Sequence, residues 1–327
     1  METLINFLYY SVRAGTPLLF GTTGEIITEK SGSLNLGVEG MMAMGAIGGY
    51  VIGCRSNSLL LAMLAAFLCA MLGALIYAFL TVTMQANQNV TGLALTIFGV
   101  GVYKFIGRAL TTAKTFPTLD NSEHLKNITA DTGIPVLRDI PVIGTLFFSY
   151  NIFVYIAVII AIAAAVYIKN TRAGLKLRSI SENPGAADAC GVNVTAYKYV
   201  NIMLGGGICG LGGLYLAVVT NSGAWNDNWI NGMGWISVAL VIFANWSPAK
   251  AIFGAFFFGM LKTLQPWKGN LSNEFSALSW LGNIPDEFYQ MLPFLITAIV
   301  LVVSSASKNN KSAEPSACGV NYFREDR

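Results

Sequence analysis

The chain has 327 residues, of which 54% are apolar and only 11% charged, with a net charge of +3. Soluble globular chains carry about 25% charged residues, so the composition excludes an ordinary soluble domain and describes an all-α, polytopic integral membrane protein. Lys and Arg lie mainly in loops and tail, which implies no nucleic acid partner, and the odd set Cys54, Cys69, Cys190, Cys209 and Cys318 has no metal-ligand or disulfide-frame spacing.

About nine transmembrane helices (eight to ten) are expected, near 4–24, 34–53, 59–83, 89–108, 143–168, 197–219, 232–246, 249–265 and 287–304. The first runs into Arg13 and Pro17 without a small-residue cleavage site, so it is expected to stay as an anchor. The second carries Asn35, Glu39 and glycines at 37, 40, 45, 48 and 49, and is expected to be a broken or re-entrant element enclosed by other helices. An embedded carboxylate costs at least about 2.5 kcal/mol unless it faces a polar cavity or partner. Glu39 is read as such an embedded group; in the competing reading the span starts later and leaves it at the interface. At 85–98, Asn87, Gln88 and Asn89 stand at the mouth of the fourth span. Amides there either line a route for a polar, uncharged solute or cap the helix among headgroups. Asn35, Glu39, Asn87, Gln88 and Asn89 are thus the candidate translocation path.

The segment 109–142 holds Pro117, Pro135, Pro141, Gly133 and the carboxylates Asp120, Glu123, Asp131 and Asp139, which suits a solvated outer loop. Its His124 is the only histidine and has no cysteine pair or carboxylate at metal spacing, so neither a metal site nor histidine catalysis is expected. A polar island follows at 171–191, inside a loop expected over 169–196. Lys169, Arg172, Lys176 and Arg178 place it on the cytoplasmic side. Asn183 as N-cap, Pro184 at the first helical position, the small residues Ala186, Ala187, Ala189 and Cys190, and Gly191 as a stop predict a two-turn helix. A helix that short needs a partner surface, and small side chains admit one closely. The alternative is a basic loop that only sets topology.

With the island inside, 220–231 and 266–286 fall outside, as does the N-terminus of a nine-span chain, while 245–250 and the tail fall inside. Residues 1–305 form the transmembrane domain, and the polar tail 306–327 is expected to be disordered. Trp225, Trp229, Trp235, Trp246 and Trp267 are expected in the interfacial belts. Glycine runs at 37–49 and 205–213 hint at two related halves, though helix crossings give the same pattern. Gly254 and Gly259 have phosphate-loop spacing, but Met260 follows where Lys is required, so ATP is expected on another chain.

The run G-E-I-I-T-E-K-S-G-S-L-N-L-G-V-E-G-M-M-A-M-G-A at 24–46 closely resembles the signature of permease subunits of ATP-binding-cassette (ABC) importers in the branched-chain amino acid and simple sugar group, nearest to the nucleoside type. Three further runs resemble it in the same order, at 86–99, 174–194 and 231–248, the last with Ala244 where glycine is expected. The resemblance implies the importer permease fold in a bacterial cell membrane. It implies a second permease subunit, a cytoplasmic ATPase subunit that binds the ATP, an extracytoplasmic substrate-binding lipoprotein and surrounding lipid. It also implies that Arg178, Glu182, Asn183, Pro184, Gly185, Ala186, Ala187 and Gly191 form the segment that docks in the ATPase. No chemistry and no cofactor are expected in this chain itself. Within the group a simple sugar or purine-related ligand is the second choice after nucleosides. An ion-coupled secondary transporter is the runner-up class, but such a protein needs intramembrane carboxylates beyond Glu39.

Overall fold

The computed structural model describes residues 2–118, 123–130, 133, 137–140, 142–274, 276–306 and 314–323. Among them the regular structure is helical, with no strand. The helices are α1 (Glu2–Glu29), α2 (Val38–Ser56), α3 (Leu59–Ala78), α4 (Gln88–Thr112), α5 (Glu123–Thr129), α6 (Ile152–Asn170), α7 (Arg172–Glu182), α8 (Pro184–Ala189), α9 (Val194–Tyr215), α10 (Met233–Phe243), α11 (Pro248–Glu274) and α12 (Asp286–Ala306). Single π turns extend α3 to Thr83 and α9 to Thr220. Nine of these helices fall in order on the nine expected spans. The fifth, α6, starts at Ile152 rather than 143, because a separate π turn at Gly144–Phe148 comes before the bend at Ser149 and Tyr150.

Among the described residues, four segments are long and apolar enough to cross a membrane by length and composition: Leu59–Thr83, Gln88–Thr112, Ile152–Asn170 and Val194–Thr220. Of these, Val194–Thr220 has 83% of its most apolar stretch buried, against 33–39% in the other three. The bundle is therefore built around α9, which packs on α1, α2 and α3. Lipid tails are as apolar as leucine, so close backbone approach, not hydrophobic exclusion, holds such a core together. Glycine supplies that approach: a Cβ at Gly45 would lie 2.4 Å from Gly210 Cα, and one at Gly213 would lie 1.9 Å from the Met42 carbonyl oxygen. On the outer helices, Leu60, Leu64, Leu68 and Leu72 of α3 and Ile97 and Phe105 of α4 are exposed and face hydrocarbon.

Glu25 and Glu29 are fully enclosed at the end of α1, past the expected boundary of that span. The expected break falls at 30–37, a buried turn between α1 and α2, after which α2 runs without interruption. The loop expected over 220–231 is non-helical at 221–232, but it is not a plain outer loop, since it carries the buried Trp229 and Ile230 before the short α10. Trp229 is thus a core residue and no part of an interfacial belt. It packs with Tyr50, Tyr103, Phe116 and Trp225.

The connections sort into two ends of the bundle. At one, the island 171–191 meets the 30–37 turn, the α3–α4 connection and residues 314–323; the Ala317 amide donates to Ser181 O at 2.9 Å. At the far end, Tyr50 Oη donates to Pro117 O at 3.1 Å and Gly223 O at 2.9 Å, and the Leu125 amide donates to Asn57 Oδ1 at 3.2 Å. Arg108 and Asp227 pair there in solvent, which holds the Asp227 carboxyl below its ordinary range. The tail departs from the expected disorder over 314–323, because Asn321 and Tyr322 hydrogen-bond to the bundle; residues 307–313 and 324–327 lie outside the described residues.

The Gly45–Gly210 crossing yields a paired prediction. Gly45→Leu forces α2 off α9 and costs on the order of 3 kcal/mol, whereas Gly101→Leu, with nothing within 4 Å of its added Cβ, is tolerated. Fluorescence-detected gel filtration after heating should show early loss of the monodisperse peak for the first variant and no loss for the second.

Candidate functional site: a capped island helix and a buried carboxylate

The island folds as two helices. The longer, α7, was not anticipated: Thr171 caps it by accepting from the Gly174 amide at 3.0 Å, and it buries Gly174, Leu177 and Ile180 on one face. The signal was present in Thr171 and in the three-residue spacing of Gly174, Leu177 and Ile180, which fits a helix buried on one side. On the other face Arg172, Lys176 and Arg178 are exposed.

The shorter helix, α8, has the predicted caps. Asn183 Oδ1 accepts from the Ala186 amide at 2.9 Å, Pro184 occupies the first turn, and Gly191 follows with φ +80°. Only glycine takes that φ without strain. One correction concerns Ala187. It is buried with Ile180, Val192 and Val194 in a small apolar cluster, and so is closed to a partner. Ala186, Ala189 and Cys190 are exposed, with Gly185 half-buried. Glu182 and Asn183 are exposed at the joint between α7 and α8.

Glu39 is buried at the start of α2, and its two carboxylate oxygens accept from the amides of Gly232 at 2.8 Å and Gly234 at 2.9 Å. These are donors that the start of α10 leaves without a partner inside the helix, and the positive end of the helix dipole favours an anion there. Gly232 sits at φ +76°, and a Cβ on Gly234 would lie 2.4 Å from Glu39 Cα, so the approach requires glycine at both places. Lys262 lies close enough to add electrostatic attraction.

The remaining candidates are not gathered around Glu39. Asn35 donates from its amide and its Nδ2 to Glu25, at 3.1 and 3.2 Å, and its Oδ1 accepts from the Gly37 amide at 2.9 Å. Asn87 caps α4 through the Val90 amide at 3.1 Å, and Asn89 is exposed beside it. Gln88 is buried, accepting from the Leu34 amide at 2.7 Å and donating to Asn321 at 2.9 Å. These amides fasten the connections at the island end.

Toward the far end, a cavity of about 560 Å³ opens between α1, α10 and α11, lined in part by Asn221, Asn228, Asn231, Lys262 and Asp286. In the sequence these asparagines stand in a segment with the composition of a plain outer loop, so nothing there marks them as a lining. Among the described residues, no three His, Cys, Asp or Glu side chains converge as metal ligands would.

The Glu39 geometry predicts graded damage. Glu39→Gln can accept only one of the two amides, whereas Glu39→Leu leaves both unpaired in a dry site, at about 1–3 kcal/mol each. Thermal unfolding of the purified protein should fall modestly in the first variant and severely in the second.

A family model described as branched-chain amino acid transport system / permease component matches residues 7–301. Among curated proteins, the chain is 32% identical to the nucleoside ABC transporter permease protein NupC of Lactococcus lactis, over 98% of this chain and 96% of that one. It is 31% identical to the guanosine ABC transporter permease protein NupQ of Bacillus subtilis, over 95% and 94%. It is also 31% identical to the putative glucose ABC transporter permease protein TsgC13 of Haloferax volcanii, over 99% of both. No solved structure matches. With a match over nearly its whole length, the chain belongs to the branched-chain amino acid transport system / permease component family and is an integral membrane permease of the ABC type.

Proposed function

We propose that the chain is the transmembrane subunit of a bacterial ABC importer for nucleosides. In this reading it pairs with a second permease subunit, receives solute from an extracytoplasmic binding lipoprotein, and is driven by a separate cytoplasmic ATPase. The observation that carries the coupling role is α8: a helix of six residues, capped at both ends, that buries Ala187 and turns Ala186 and Ala189 outward. Such a helix offers a cleft on another protein a close-fitting knob without long side chains to reorder, which lowers the entropic cost of docking. The island end is then cytoplasmic, and the far end with its cavity faces the binding protein.

The nucleoside assignment rests on the two nucleoside permease relatives and on the lining of the far-end cavity. Asparagine amides supply both donors and acceptors to a neutral, hydroxyl-rich solute, and about 560 Å³ lies within the range of small-molecule pockets. A sugar is the second reading, favoured by the glucose permease relative. ATP is bound by the partner, since Met260 stands where a phosphate loop needs Lys.

Two measurements test this. Cysteines replacing Ala186 or Ala189 should crosslink to the copurified ATPase subunit, while one replacing the buried Ala187 should not. Deleting the gene should abolish uptake of radiolabelled uridine or adenosine. Intact nucleoside uptake with lost glucose uptake would move the substrate to the sugar branch.

A further inference from the structure

Residues 314–323 have no part in the reading above, yet they hydrogen-bond to two elements at once. On one side they hold the island: Ser316 Oγ donates to Glu182 Oε2 at 2.8 Å, the Ala317 amide to Ser181 O at 2.9 Å, and Tyr322 Oη to Asp188 Oδ2 at 2.8 Å. The Tyr322 ring packs on the apolar cluster beneath α8. On the other side they hold the α3–α4 connection. Asn321 Nδ2 donates to Gln85 O at 2.7 Å and Ala86 O at 3.2 Å, while Asn321 Oδ1 accepts from buried Gln88 at 2.9 Å.

Gln88 carries the link onward by accepting from the Leu34 amide at 2.7 Å, in the turn that leads into α2 and Glu39. Gln85 itself sits at φ +54°, a conformation that a non-glycine residue keeps only where its surroundings hold it. Its Nε2 donates back to Tyr322 O at 3.3 Å. Asn321 thus satisfies one side chain and two main-chain carbonyls at once, while its neighbour Tyr322 is fixed on α8.

We propose that residues 314–323 are a positioning strap that locks the coupling island to the inner ends of α3 and α4, so that a displacement of α8 reaches those helices as well as α9. The idea rests on the coupling role of α8. Without the strap, α8 keeps only its chain connections and its packing on α7 and the start of α9. With it, α8, the start of α4 and the 30–37 turn move as one body.

The test is made on the assembled transporter and does not depend on which solute is carried. Spin labels are carried by the exposed native Cys190 at the end of α8 and by a cysteine replacing the exposed Asn89 on α4, with the other accessible native cysteines changed to serine. Pulsed electron resonance then reads their separation with and without ATP. In the unaltered strap the distribution should stay single and unmoved; in Asn321→Ala it should broaden or shift with ATP, and in a chain ending at 313 more so. Tyr322→Phe should fall between, since it keeps the ring packing. Solute carried per ATP hydrolysed should fall roughly fivefold in Asn321→Ala, within the range by which single residues change coupling between sites.

A folding defect is read separately in the native-cysteine chain. Burial and the nearby Glu29 and Glu314 raise the Cys318 thiol well above its ordinary pKa, so it should alkylate slowly while the strap is seated. In Asn321→Ala, Cys318 should become reactive while buried Cys54 and Cys209 stay protected. Equal label separations in all variants would overturn the proposal, as would faster transport by the truncated chain, which would make the segment an inhibitor. Failure of the unaltered chain to copurify with an ATPase would instead sink the coupling reading, and the strap with it.

Discussion

A peptide amide inside the hydrocarbon layer has no water to bond, so every interruption of a helix there must be satisfied by the protein itself. The junction of Glu39 with Gly232 and Gly234 is where this chain meets that demand. Because a carboxylate from α2 fills the amides at the start of α10, the main chain at 221–232 can leave helical geometry and still bury Trp229 and Ile230. The far-end cavity and its asparagines exist only because that stretch is irregular. Removing the acid takes away the partner of two amides, and with it the reason the segment can sit where it does.

The long elements were legible because hydrophobic length is a strong signal, and the order of the helices at the expected spans followed from it. The caps of α8 were legible as well, since Asn183, Pro184 and Gly191 act locally and need no knowledge of the rest of the chain. What was not legible depended on distant partners. The first span is expected to end near 24, yet Asn35 and Trp246 receive Glu25 and Glu29 within the bundle and α1 runs on to Glu29. Trp229 read as an interfacial aromatic because its neighbours Tyr50 and Tyr103 lie more than a hundred residues away in sequence. The tail read as disordered from composition, which says nothing of the single asparagine that three groups of the bundle engage.

The same distinction explains the candidate path. Asn35, Asn87, Gln88 and Asn89 were grouped because they are polar residues beside apolar runs, and polarity alone does not separate a lining from a fastening. Their hydrogen bonds tie the 30–37 turn, the α4 cap and the C-terminal segment into one platform beside the island. The far-end cavity is lined instead by Asn221, Asn228 and Asn231, at the opposite end.

The central place of α9 also sets an order on biosynthesis. Its partners α1, α2 and α3 leave the ribosome first, and the glycine faces of α2 have nothing to close on until residues 194–220 follow. At about 5–20 residues per second that wait is on the order of ten seconds. The early helices therefore spend it in the bilayer as an unfinished layer, with Gly45 and buried Glu39 both lacking their final neighbours. The membrane insertion machinery must shelter them until the second half of the chain arrives, and a permease stalled before α9 is a substrate for quality control.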